Sequence, residues 1–568
     1  MVTRRRGGAR RCEWDPRCDG VAGSVPWSCP SRCKRSFGRA ATGAFAGHAR
    51  GCGSIRGSAP GRARRKHSGD RAKPRRRDRE RSRPGRSVPS QGARHDNGRR
   101  LPNAPPQEGE AHAAYQKARE HRATLGEIDA ALLDAAEPRF RDPPDRAERT
   151  RRLEEVAKRY PSNVAILAIL ATSLTESDRY DDAEKAAERA LALDPHYVPA
   201  IEAKIHVARR TGDVSKIRRL ADDCVKTCPA ATVCLQERID LAHEDGRCAD
   251  VKADARRWLA IDPTSSPAYA HLADAIASLG EPIEAVVEAV RRADANISDP
   301  DKRHFQEFDS IVSLAELQGD FSAAEKALSD RVAFAASRPN LDPTGPAAEH
   351  IVVVLEEGEP ARARALLSAL RSRRIASGIG EYNFPAESAI AIFSMRAGLL
   401  TRNQWRAERQ RLVALQAEAD TRRGGTEDPL EVWGNAYWVA PESADEAADA
   451  LENLPRLGGV GETLVAGNKF PRQFGMTYAF AGRGAEAIPL LDRLTRDCRQ
   501  YSSGMWFPVY WHALALAKEQ TGDLAGAKVA YDRVLASWGN AKPRSVTADK
   551  ARAGLARLAK ASPGATAR

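Results

Sequence analysis

Pro161, Pro195, Pro229 and Pro263 stand 34 residues apart, and Asp178, Gly212, Gly246 and Gly280 keep the same spacing between them. A fixed beat of this length is the mark of a repeat array, in which one supersecondary unit is copied and stacked. Proline cannot continue a helix, and glycine readily takes the left-handed conformation that ends one. A unit closed by proline and split by glycine therefore predicts two helices joined by a turn. The expected fold class is all-α, a solenoid whose units each bury an apolar stripe against their neighbours.

The residues inside the units support this reading. From Val164 to Tyr197, Leu167, Leu170, Ala171 and Leu174 recur at helical spacing, a polar turn follows at Ser177 and Asp178, and Ala183, Ala187 and Ala190 lead to Asp194 and Pro195. Two amphipathic helices result. Helices of one hairpin approach closely only over small side chains, so Ala171 and Ala183 are expected at the crossing. Large residues at unit positions 4, 7 and 11, small ones at 8, 20 and 27 and proline at 32 resemble the tetratricopeptide repeat. The second unit keeps Ile201, Ala208, Gly212, Ala221 and Pro229 but places Cys224 where alanine is usual; the third keeps Leu235, Gly246, Ala255 and Pro263 but has Trp258 there. The fourth carries Tyr269, Leu272, Ala273, Ile276, Gly280, Ala285 and Ala289. The resemblance implies a right-handed superhelical solenoid with the first helix of every unit on its concave face.

After Gly280 the interhelix glycines continue as Gly319, Gly358 and Gly398, spaced 39, 39 and 40 residues, and Gly482 and Gly522 are again 40 apart. The helices or their loops must lengthen. The words LQGDFSAAEKAL from Leu317, FAGRGAEAIPLL from Phe480 and TGDLAGAKVAY from Thr521 keep the stop-and-restart pattern. Between Ala417 and Val460 the pattern weakens, with Gly424, Gly425, Pro429, Pro441, Pro455, Gly458 and Gly459 marking loops, so a degenerate unit or kink is expected there. The segment from about Phe470 to Leu558, with the words RVLASWGNAKPRSVTADKARAGLARL near its end, resembles the terminal repeats of large high-GC bacterial serine/threonine kinases, particularly myxobacterial ones. No HRD or DFG motif accompanies it, and Gly319, Asp320 and Phe321 read as a helix turn, so phosphoryl transfer is not carried over.

Charge divides the chain sharply. Residues 1–100 carry 28 Lys and Arg against 7 Asp and Glu, whereas the rest carries 62 against 69. The basic overall balance thus belongs to the leader alone. Rich in Gly, Ser and Pro and without apolar periodicity, the leader is expected to be disordered. Three readings of it stay open: GC-rich DNA read outside its true frame, with the natural chain starting near Leu101; a solvated linker; or a basic arm that attracts phosphate. The expected organisation is a leader over 1–110, a degenerate helical unit over 111–163, 34-residue repeats over 164–299, longer repeats over 300–416, an irregular segment over 417–467, further repeats over 468–546, and a cap and tail over 547–568. Thr547 is expected to open the capping helix, Ala548 to Lys560.

Cys12, Cys18, Cys29, Cys33 and Cys52 lie in the leader, and Cys224, Cys228, Cys234 and Cys248 cluster with His243. No CxxC pair is present, and the register places Cys234 and Cys248 near opposite ends of one helix, so zinc is not expected. Cys224 reads as a buried thiol, and a Cys228–Cys234 disulfide is expected only in an exported protein. A phosphate loop, an HExxH pair and a GxSxG elbow are all missing from the sequence. The chain is therefore expected to be no enzyme, to hold no cofactor, and to have no membrane span or signal-peptide run. A cytoplasmic location follows as the expectation.

What remains is a binding surface. The resemblance places Glu202, His206, Arg209 and Arg210 of the second unit and Gln236, Asp240, His243 and Glu244 of the third on the concave face, where they would meet an extended peptide of mixed charge or simply form a solvated face. Ala168, Thr172 and Ala203 depart from the two-carboxylate clamp of chaperone-binding members. The aromatic groups Trp433, Tyr437, Trp438 and Trp506, Phe507, Tyr510, Trp511 read as core rather than ligand platforms. The expected function is a protein-binding scaffold or adapter, with a nucleic-acid-associated protein using the basic arm as the alternative.

Overall fold

The computed structural model describes residues 106–141, 144–338, 341–377, 384–422, 429–455 and 470–561. The arginine-rich leader, apart from residues 106–110, lies outside the described residues. Within them every regular element is helical. Helices Pro106–Glu120, Glu127–Ala136 and Arg146–Arg159 precede a series of hairpins. The first four hairpins are Val164–Glu176 with Tyr180–Leu193, Val198–Thr211 with Val214–Thr227, Thr232–Glu244 with Cys248–Ile261, and Ser266–Ser278 with Ile283–Ala295.

The two sequence ladders set the ends of these helices. Tyr160, Cys228 and Asp262 are the C-terminal caps of their helices, each followed at once by a ladder proline that forces the preceding residue out of the helical region. Inside the hairpins Asp178, Gly212, Gly246, Gly280, Gly319, Gly358, Gly398, Gly482 and Gly522 all have positive φ. At Gly212 the amide of Asp213 reaches back to the Ala208 carbonyl at 2.9 Å, and the Asp213 carboxylate then accepts from the Lys216 amide at 2.8 Å. Glycine thus closes one helix and aspartate opens the next, which is the physical content of the recurring Gly-Asp word. Ala171 and Ala183 are fully buried in one apolar cluster, as their small size at the crossing requires.

The later period grows through longer helices in the fifth hairpin and, between Gly482 and Gly522, through the longer connection 497–505. Pro300–Gln318 has 19 residues and Phe321–Ala336 has 16, against 13 and 14 for the first hairpin. Thr344–Glu356 with Pro360–Ser377 forms the sixth hairpin, and Phe384–Arg396 with Arg402–Arg422 the seventh. That last helix runs past residue 416, so the expected boundary there falls inside it. The segment read as irregular contains a short eighth hairpin, Pro429–Ala436 and Ala444–Glu452. Its weak pattern reflects helices of only 8 and 9 residues, too short to show periodicity. Trp433 and Tyr437 are buried in it, the indole donating to the Ala450 carbonyl at 2.9 Å and the phenol to Asp449 at 2.8 Å.

Pro471–Phe480 with Gly484–Arg496, Trp506–Gln520 with Leu524–Trp538, and the capping helix Val546–Ala561 complete the array. Among the described residues no helix is long and apolar enough to cross a membrane.

Candidate functional site

The residues expected to meet a ligand lie on two consecutive first helices, and those helices have different fates. On Val198–Thr211, Glu202 and His206 are half-buried while Arg209 and Arg210 are exposed. Arg209 pairs with Glu237 of the next repeat; burial opposes its charge, but Glu237 together with Asp240 and Glu244 holds the guanidinium above its ordinary pKa. Arg210 donates to Asp178 of the preceding repeat at 3.2 Å. Both arginines therefore stitch neighbouring hairpins while keeping one flank open to solvent.

On Thr232–Glu244 the expectation of an open face fails. Gln236 is buried, His243 is 0% exposed, Asp240 lies 3.8 Å from Arg499, and Glu244 accepts from Arg493 at 2.7 Å. The amide of Cys498 donates to the His243 carbonyl at 3.2 Å. What covers this face is the chain itself, returning some 250 positions later. Burial above all, then the nearby Arg499 and His271, drives the His243 pKa well below its ordinary value, and its Nε2 lies 3.0 Å from His271 Nδ1. A neutral, enclosed imidazole is a packing residue rather than a ligand contact.

The rear of the chain continues this contact in order along the front. Gln500 donates its amide to Ser278 at 3.3 Å and Ser502 donates to Asp274 at 2.6 Å on the fourth hairpin. On the fifth, the Trp538 indole donates to the Glu316 carbonyl at 2.8 Å, and the Lys542 amide donates to the Gly319 carbonyl at 2.8 Å. On the sixth, Glu356 accepts from the Ser545 hydroxyl at 2.6 Å and the Thr547 amide at 2.9 Å. Cys498 enters the core of the second and third hairpins, and Tyr501 that of the fourth. Tetratricopeptide spacing alone carries no sign of this closure, because it arises between parts far apart in sequence.

Cysteine chemistry reinforces the closure. Cys248 is disulfide-bonded to Cys498, with Cα atoms 5.3 Å apart, and Cys224 to Cys234, with Cα atoms 5.7 Å apart. The expectation of Cys224 as a buried free thiol is thereby corrected: it pairs with Cys234. Cys248 begins the helix after the Gly246 turn instead of ending the helix that holds Cys234, so it faces the returning segment. Among the described residues no group of three or more His, Cys, Asp or Glu side chains is placed to hold a metal ion. The aromatic group near the end divides as well: Phe507 and Tyr510 are buried, whereas Trp506 and Trp511 are half-buried.

These hairpins, their left-handed turn glycines and their stacking define an all-α solenoid of tetratricopeptide type. No family model matches the chain, and no curated protein does. Among solved structures, Naa15/Naa10 bound to HypK-THB is 13% identical with a TM-score of 0.24, over 77% of this chain and 66% of that one, just under two thirds of its length. The TPR domain of P58(IPK) is 14% identical with a TM-score of 0.19, over 71% of this chain and 99% of that one.

Proposed function

We propose that this protein is a scaffold that binds another protein and carries out no chemistry of its own. The observation that supports this reading most is the solvent-facing flank of Arg209 and Arg210, beside half-buried Glu202 and His206, on a helix of the regular front repeats. Stacked hairpins present such positions as a continuous row, and an extended segment of mixed charge would match the two arginines and the carboxylates paired with them. The resemblance of the last repeats to bacterial kinase tails favours a signalling assembly as the setting. Affinity capture from the native cell with the wild-type chain and with Arg209→Glu, Arg210→Glu tests this. Partners lost from the double variant, with unchanged circular dichroism, uphold the reading; identical partner sets and affinities overturn it.

The two disulfides favour a compartment other than the reducing cytoplasm expected from the sequence, since such bonds persist where the surroundings are oxidising. Thiol counting by mass spectrometry on protein trapped in the native cell tests that location. Free Cys248 and Cys498 there would return the protein to the cytoplasm.

A further inference from the structure

Where the chain closes on itself it leaves a groove of about 690 Å³ that is open to solvent, with Arg247, Arg496 and Arg533 exposed at its rim. One wall is the Gly246–Asp250 stretch of the third hairpin, and the other is built from Thr495, Arg496 and the helices Trp506–Gln520 and Leu524–Trp538. Neither half has this groove alone. Its size lies within the roughly 300–1,000 Å³ typical of small-molecule sites.

The chemistry of the lining is specific. Arg247 is neutralised by Asp245 at 3.2 Å and by Asp250. Arg496 and Arg533 make no ion pair among the described residues: Arg496 donates its Nε to the Asp492 carbonyl at 3.0 Å, and Arg533 lies 5.9 Å from the centroid of Trp511. Two guanidinium groups thus share the groove without a carboxylate of their own. Trp511 is half-buried beside buried Phe507, giving a flat apolar wall next to the positive charge. Guanidinium forks match the oxygens of carboxylates and phosphates, and an aromatic face takes a flat apolar body.

We infer that this groove binds a small molecule in which an oxyanion is carried on a flat aromatic body, the chemistry common to aromatic acids and mononucleotides. Arg496 and Arg533 hold the oxyanion, and the half-buried Trp511, backed by Phe507, takes the ring. The Cys248–Cys498 bond keeps the walls together, since Cys248 itself lines the groove.

Isothermal titration of the full chain with 2-naphthyl phosphate, 2-naphthoate, AMP, inorganic phosphate and neutral 2-naphthol tests the inference. At least one aromatic anion is expected to bind at one site per chain, at least tenfold tighter than 2-naphthol and inorganic phosphate. AMP above the naphthyl anions assigns the site to nucleotides, and the reverse order assigns it to aromatic acids. Arg496→Ala and Arg533→Ala should each weaken that binding tenfold or more. Failure of all three aromatic anions to bind, 2-naphthol binding as tightly as they do, or unchanged affinity in the double arginine variant would overturn the proposal.

Discussion

Cys248 and Cys498 are 250 positions apart in sequence, yet their Cα atoms lie 5.3 Å from one another across a disulfide. The bond joins the start of a helix in the third hairpin to the loop after Gly484–Arg496. It pins together two parts of the array that a plain solenoid would hold apart.

Reducing this bond or making Cys248→Ser with Cys498→Ser should destabilise the closed form. Cross-links over long loops contribute roughly 2–5 kcal/mol, largely by restricting the unfolded chain. Thermal melts of wild type with and without reductant, beside the double serine variant, check the value. Equal melting temperatures in all three would mean that the polar contacts of Arg493, Gln500 and Trp538 are sufficient by themselves.

Two turn glycines with the same backbone should respond differently to alanine. Gly246 and Gly280 have φ of 71° and 68°, so a side chain costs about 1–2 kcal/mol at either. A Cβ on Gly280 meets nothing within 4 Å, whereas one on Gly246 would lie 2.9 Å from the Arg496 carbonyl oxygen. Gly246→Ala should therefore exceed Gly280→Ala by at least 1 kcal/mol in urea unfolding, an overpacking cost. Similar losses would show that the returning segment yields easily.

Arg409→Ala should be among the most damaging single changes in the seventh and eighth hairpins. Arg409, 4% exposed, pairs with Asp449, 1% exposed, which also accepts from Arg406 at 2.7 Å and from the Tyr437 hydroxyl. Removing one partner leaves a buried carboxylate undercompensated, at a cost of about 3 kcal/mol. Replacing the pair together, Arg409→Met with Asp449→Leu, should recover part of the loss, and a double-mutant cycle measures it.

Acid should destabilise the tenth hairpin through His512. Burial first, then Lys550 and Arg557, lowers its pKa to about 3 in the folded chain, while the unfolded chain binds its proton near 6.5. Its contribution is complete above the unfolded value and is lost as pH falls from 6.5 toward 3, by up to about 1.4 kcal/mol per pH unit. Asp294, whose pKa burial raises to about 6, acts in the opposite sense between pH 6 and 4, so the net loss will be smaller. Urea unfolding of wild type and His512→Phe at pH 7 and pH 5 isolates the histidine. The variant should lose less stability on acidification, and parallel losses would assign the acid response elsewhere.

Local architecture was legible in the sequence wherever one residue sets a backbone angle. The ladder of Asp178, Gly212, Gly246 and Gly280 coincides with positive φ at each position, and the longer spacing beyond it corresponds to longer helices at Pro300–Gln318 and Phe321–Ala336 and to the longer connection 497–505 further on. The eighth hairpin was not legible, because helices of 8 and 9 residues offer too few turns for a pattern. For the candidate surface the outcome divides by helix. Arg209 and Arg210 keep an exposed flank, whereas Gln236 and His243 are enclosed and Asp240 and Glu244 face Arg499 and Arg493.

Repeat length, hairpin turns and apolar stripes are local properties, encoded within each 34- to 40-residue stretch, and the sequence by itself determined them. Closure is decided between surfaces that meet only after the array has stacked. Gly246, Gly319 and Gly358 have the same kind of left-handed turn as Gly280 and Gly522, yet only the first three have the returning chain against them, at Arg496, Trp538 and Arg544. Nothing in a turn word states which turns will be covered. That depends on the rise and rotation accumulated over many hairpins, and only the tertiary structure supplies them.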